Sequence, residues 1–184
     1  DIFRIQNRIA ESIAAELKAI ITPEEKQLIE KVPTTSLTAY DFFQKGRDEH
    51  TKYWIDNKNI EALRNAEFFY HESLKYDSNF AHAYTGLAWV YWDKHYWESY
   101  LSEGFLDSVL ILCDIALSYD NQLSEAYTLK GLYYNELDKP EMAIEEYDKA
   151  ITLNPNDYLA YWGQGIMYFN YDRIKSIDNL LKVL

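Results

Sequence analysis

The stretch SEAYTLKGLYYNELDKPEMAIEEYDKAITLNPND, residues 124–157, decides the fold. Ala143, Tyr147, Ala150 and Ile151, with Leu153 beyond, recur at spacings of three and four, as one face of an α-helix requires. Tyr127, Gly131 and Tyr134 do the same one helix earlier. The stretch closes on Leu153-Asn154-Pro155-Asn156 and runs on to Ala160-Tyr161, and this ending has two counterparts, Tyr76-Asp77 to Ala83-Tyr84 and Tyr119-Asp120 to Ala126-Tyr127. In each, Asp or Asn is followed by turn-favouring residues; such side chains bond their own backbone and break helices. The offset from Tyr127 to Tyr161 is 34 residues and that from Tyr84 to Tyr127 is 43, so the earlier unit carries an insertion around Lys94 to Gly104, a loop or an extended helix end. No stretch sustains strand alternation, and 6 Gly and 4 Pro are too few to punctuate hairpins. The expectation is an all-α chain of antiparallel helix pairs.

Working outward, the beginning differs. Ile2, Ile5, Ile9, Ile13, Leu17 and Ile20 fall on one stripe, with Arg4, Asn7, Arg8, Glu11 and Lys18 elsewhere, which predicts an amphipathic helix in need of an apolar partner. Thr22-Pro23-Glu24-Glu25 has the form of a helix start, Thr as N-cap and Pro at the first helical position, opening a short helix to about Lys31. Val32 to Ser36 reads as a linker, and Thr38 with Asp41 as a second capping box. A helical segment over 1–36 is therefore expected before repeats over 37–184.

The net charge of −12 excludes most functions built on polyanions, since a phosphate backbone demands a Lys/Arg surface. Direct nucleic-acid binding is not expected, and neither is contact with a membrane. The 17 Tyr and 5 Trp exceed what a core of this size uses and supply amphipathic contact surface. Cys113 stands alone, so neither an internal disulfide nor a Cys-based metal site can form. The sequence begins at Asp1 without a Met, a basic leader or an apolar run of about 18 residues. The expectation is a soluble piece of a longer protein whose compartment one cysteine does not reveal, the cytoplasm being favoured and a membrane anchor in the parent left open.

Residues 124–157 resemble a tetratricopeptide repeat. The family's aromatic, Leu-Gly, Tyr, Ala, aromatic, Ala and Pro places hold Tyr127, Lys130-Gly131, Tyr134, Ala143, Tyr147, Ala150 and Pro155, and only Lys130 departs. Weaker units flank it: Phe42, Gly46, Ala66 and Tyr70; then Tyr84, Leu87, Ala88 and Tyr91 with Val109, Cys113 and Ala116; then Tyr161, Gly165 and Tyr168, where Ile177 and Leu181 replace the small and aromatic residues. The units are about 38–80, 81–123, 124–157 and a shortened 158–184. The resemblance implies a right-handed superhelix. Residues 1–40 are similar to the segment that joins a TolB-like domain to such repeats in bacterial multidomain signalling proteins, whose other domains include adenylate cyclases, kinases and winged-helix DNA-binding domains. That likeness implies the regulatory tail of a larger regulator.

Chemistry is sparse. His50, His71, His82 and His95 form no pair with metal-ligand spacing. Glu24-Glu25 and Glu145-Glu146 are adjacent on helices and point apart. Gly163-Gln164-Gly165 lies on a predicted helix rather than a phosphate loop. No enzyme and no cofactor is expected. In the repeat family the first helix of each pair lines a concave groove, which implies Thr85, Trp89, Trp92 and Asp93, then Thr128, Leu132, Asn135 and Glu136, then Trp162, Ile166 and Phe169 as groove residues. Trp92 has a rival reading as a seam residue. The places that hold a carboxylate clamp in some members carry Thr85, Thr128 and Trp162 here, so the implied ligand is an apolar, aromatic or basic protein segment. Homo-oligomerisation through the last helix and the N-terminal stripe is the alternative, as is autoregulation of a missing output domain.

Overall fold

The computed structural model describes residues 2–17, 22, 31–97, 104–169 and 172–183. They divide into a unit within residues 1–35 and a larger unit within residues 36–184. In the first, α1 (Ile2–Glu16) forms as the periodicity predicts, but Phe3 is its buried side chain, and Ile2, Ile5, Ile9, Ile13 and Leu17 are exposed. The helix start at Thr22-Pro23, the short helix after it, and Lys18 and Ile20 fall mainly outside the described residues.

The larger unit contains eight described helices in four hairpins: α2 (Leu37–Ile55) with α3 (Ile60–Tyr76), α4 (Ala81–Tyr96) with α5 (Gly104–Tyr119), α6 (Ser124–Glu136) with α7 (Pro140–Leu153), and α8 (Tyr158–Tyr168) with α9 (Arg173–Leu181). No strand occurs among the described residues. Ser36 caps α2, accepting the Ala39 N–H at 3.2 Å, which moves the helix start two residues ahead of the expected Thr38 box. The extra length of the second unit goes partly into α4, which runs on to Tyr96.

The three repeat-closing turns are built alike. Asp77 Oδ1 accepts the Asn79 N–H at 3.0 Å, Asp120 Oδ1 that of Gln122 at 3.0 Å, and Asn154 Oδ1 that of Asn156 at 3.1 Å. Two tyrosines lock the turns from the next helix: Tyr84 donates to the Ser78 carbonyl at 3.0 Å and Tyr127 to the Asn121 carbonyl at 3.3 Å.

Side-chain volume sets how the hairpins stack. Tyr70 of α3 lies over both Gly46 of α2 and Gly86 of α4, where an added Cβ would stand 2.8 Å and 2.6 Å from its ring. Tyr147 of α7 repeats this over Gly131 of α6 and Gly163 of α8, with still less room. Between the second and third hairpins the equivalent places hold Cys113, Ala88 and Leu129, all fully buried in one cluster. The last hairpin closes differently from expectation: Ser176 donates to the Gly165 carbonyl at 2.8 Å and Leu180 lies over Gly165. Ser176 and Leu180 take the small and bulky places, while Ile177 and Leu181 are exposed.

Candidate functional site

Curvature identifies the face that a ligand could enter. The first helices of neighbouring hairpins touch, α2 with α4, α4 with α6 and α6 with α8, whereas no two of α3, α5, α7 and α9 touch among the described residues. Helices drawn together on one side and apart on the other make α2, α4, α6 and α8 the inner wall.

Six of the eleven predicted groove residues keep accessible surface. Trp162, Ile166 and Phe169 form a row on α8, at 43%, 39% and 61% exposure; Glu136 is exposed, and Trp89 and Asn135 are half-buried. The other five are corrected by burial. Thr85 and Thr128 sit where the inner helices meet; Thr85 bonds the Ala81 carbonyl at 3.3 Å, and Thr128 donates to Asp157 Oδ2 at 2.7 Å. Asp157 in turn caps α8 through the Ala160 N–H at 3.1 Å. Leu132 and Trp92 join the core cluster of the second and third hairpins, Trp92 stacked on Tyr96, so the seam reading of Trp92 is the one the geometry supports. Asp93 is fully buried, its Oδ2 2.6 Å from His50 Nε2.

The electrostatics follow from this placement. Burial pushes the Asp93 carboxyl above the usual carboxylate range, against the opposing pull of His50, Trp54 and Lys58. Glu125 of α6 keeps solvent access, yet protein surrounds it on the inner side; that partial desolvation raises its carboxyl, Asp157 adds to the rise and Arg47 of α2 opposes it. Arg47 and Glu125 are inner-wall groups that sequence reasoning missed, although each precedes or follows a repeat marker by a fixed step. Glu146, expected to be solvated, is buried beside Lys149 at 3.2 Å. Among the described residues no group of three His, Cys, Asp or Glu could hold a metal ion. Cys113 is buried, and burial raises its thiol, so it is not poised as a nucleophile.

Stacked helix hairpins with small residues at the crossings and Asx turns between them define a helical-repeat fold of the tetratricopeptide type. Residues 124–157 match the tetratricopeptide repeat family model. A TPR repeat-containing protein of Methanocaldococcus jannaschii is 34% identical over 94 residues, covering 50% of this chain and 16% of its own length; the chain thus spans a small part of that relative. A thermophilic TPR protein of Thermus thermophilus superposes with a TM-score of 0.59 at 15% identity, over 99% of this chain and 90% of that one. The Arabidopsis OM64 TPR domain gives 0.56 at 17% identity over 72% and 96%. The first TPR of Spaghetti (RPAP3) bound to the HSP90 peptide SRMEEVD gives 0.56 at 19% identity over 76% and 98%. At these identities the structural likeness speaks for the fold. No described helix is long and apolar enough to cross a membrane.

Proposed function

We propose that this chain is a non-catalytic scaffold that binds a protein segment along its inner wall. The observation that carries the reading is the row Trp162, Ile166 and Phe169 on α8. Three large apolar side chains left open in one row on α8 form a contact surface of the composition that dominates protein interfaces. Trp89 on α4, half-buried, and Asn135 with Glu136 at the end of α6 keep accessible surface on the same wall. Glu125 and Glu136, with the net charge of −12, favour a basic or neutral apolar segment. An acidic peptide such as SRMEEVD, which one structural neighbour holds, would find no cation at the clamp places, which hold the buried Thr85 and Thr128 and the exposed Trp162. The likeness of residues 1–40 to a linker in bacterial regulators supports placing the module in the sensory or regulatory part of a larger signalling protein.

The test is a peptide-display selection on the whole chain. Selected peptides should be rich in aromatic, aliphatic and basic residues, and Trp162→Ala with Phe169→Ala should weaken them by roughly 30-fold, the effect of losing a hot spot of about 2 kcal/mol. Acidic peptides indifferent to both substitutions would sink the reading.

A second reading has its own observation. On the outward face of the second helices, the first three hairpins carry Arg64, Asp107 and Glu141, then His71, Asp114 and Asp148, at matched places. The fourth carries Ile174 and Leu181 there, and with Ile177 these form an exposed stripe. An apolar stripe where the other hairpins put charge favours self-association through α9. Light scattering decides: a monomer at high concentration, unchanged by Ile174→Glu, removes it.

A further inference from the structure

The turn between α2 and α3 holds Asn57 and Lys58 in the left-handed region, at φ 54° and 61°. Asn adopts it readily, whereas Lys seldom does. This backbone brings Lys58 Nζ to 3.2 Å from the centroid of the Trp97 ring and 5.9 Å from that of Trp54. The two indoles stand almost perpendicular, at 89° with centroids 5.8 Å apart, and form the walls of an open corner. Tyr96 packs edge-on against Trp97 at 4.9 Å. Both tryptophans remain exposed.

Behind the corner lies Asp93. One carboxylate oxygen meets His50, and Trp54 acts on the carboxylate as a second hydrogen-bonding group; the side chain is fully buried. The Lys58 charge reaches that carboxylate. A simple staple between the turn and the end of α4 accounts for the contact of Lys58 with Trp97. It does not account for two large indoles left open beside a buried carboxylate.

We infer that Trp54 and Trp97, backed by Asp93, form a seat for a lysine-type ammonium of a bound protein segment, filled in the free chain by its own Lys58. The ring faces attract the cation, and the carboxylate behind them adds a field that water screens little. Lysine fits because its ammonium is a compact charge on a flexible stem. Lys58 is then a tethered competitor, and binding requires its side chain to swing out. The inference rests on the reading of the chain as a binder of protein segments and adds where a basic residue of that segment would anchor. The seat lies apart from the α8 row, so either can fail alone.

The experiment follows the indole N–H signals of Trp54 and Trp97 in the whole chain while Nα-acetyl-lysinamide is added, with its Nε-acetylated analogue as the neutral control. Lys58→Asn removes the competitor and suits the left-handed turn. The variant should show a saturable shift at a concentration roughly tenfold lower than the wild type, absent with the neutral analogue. Lys58→Arg should stay blocked, and adding Trp97→Ala to Lys58→Asn should abolish the response. If Lys58→Asn loses its fold, the wild type at higher probe concentration, set against Trp97→Ala, gives the same decision. No saturable shift, an equal response to the neutral analogue, or a response that survives Trp97→Ala overturns the inference. Loss of peptide binding through Trp162 and Phe169 is a separate result and does not bear on it.

Discussion

The seam between the third and fourth hairpins and the seam between the second and third occupy equivalent places and are closed in opposite ways. At the first, one large ring, Tyr147, fills a notch made by Gly131 and Gly163; at the other, the small Cys113 faces Ala88 and Leu129, so the bulk has moved to the opposite wall. The seam between the first two hairpins follows the first pattern with Tyr70, Gly46 and Gly86. Stacking therefore depends on the summed volume at the crossing rather than on any one residue, as close-packed interiors demand.

Removing the ring should have the largest effect. Tyr147→Ala leaves a void between two glycines that cannot collapse far, and denaturant unfolding should show a loss of about 3–5 kcal/mol. Next, Cys113→Tyr should cost ~1–3 kcal/mol because Leu129 already fills the notch. The triple change Cys113→Tyr, Ala88→Gly and Leu129→Gly should recover part of it; strict additivity in that cycle would show that the seams are not alternatives. Gly131→Ala sets a new Cβ against the Tyr147 ring. Its helix-propensity gain of about 1 kcal/mol should be outweighed, for a net loss on the order of 1 kcal/mol by the same measurement.

Much of this was legible in the sequence because it is local. The Asx turns and the 124–157 repeat follow from spacing and residue type, and both appear as expected. The second hairpin looked degenerate only because its bulk had changed sides. A pairing was there to be found: Tyr84-Thr85-Gly86 and Tyr161-Trp162-Gly163 each follow a helix bearing Tyr70 or Tyr147, whereas Tyr127-Thr128-Leu129 follows the one bearing Cys113. The last hairpin slipped by one residue, to Ser176 and Leu180, because Leu180 follows Gly165 by 15 residues where Tyr147 follows Gly131 by 16. The inner wall was half legible. Exposure depends on how near the neighbouring helix comes, which a single helix pattern does not encode, so Thr85, Thr128, Leu132, Trp92 and Asp93, expected to be open, lie on the buried sides of their helices.

Smaller effects sharpen the contrast. The seam between the first two hairpins also buries Asp93 against His50. Its carboxyl titrates above the ordinary value of 3.8 when folded, so the native state binds the extra proton and stability should fall as pH rises from 3.8 through the folded pKa. Asp93→Asn should flatten that part of the stability profile, and an unchanged slope would contradict the placement. Smallest is the response of Cys113 to alkylation in the native state. With the thiol buried and its pKa raised, iodoacetamide should label it only as fast as the seam between the second and third hairpins opens, and faster after Leu129→Gly.

The central claim is that the inner wall receives the ligand, and the most direct test is to map amide and indole shifts on adding a display-selected peptide. The account predicts shifts concentrated at Trp89, Asn135, Trp162, Ile166 and Phe169. Shifts confined to the outward stripe of Ile174, Ile177 and Leu181, with the α8 row unmoved, would contradict it.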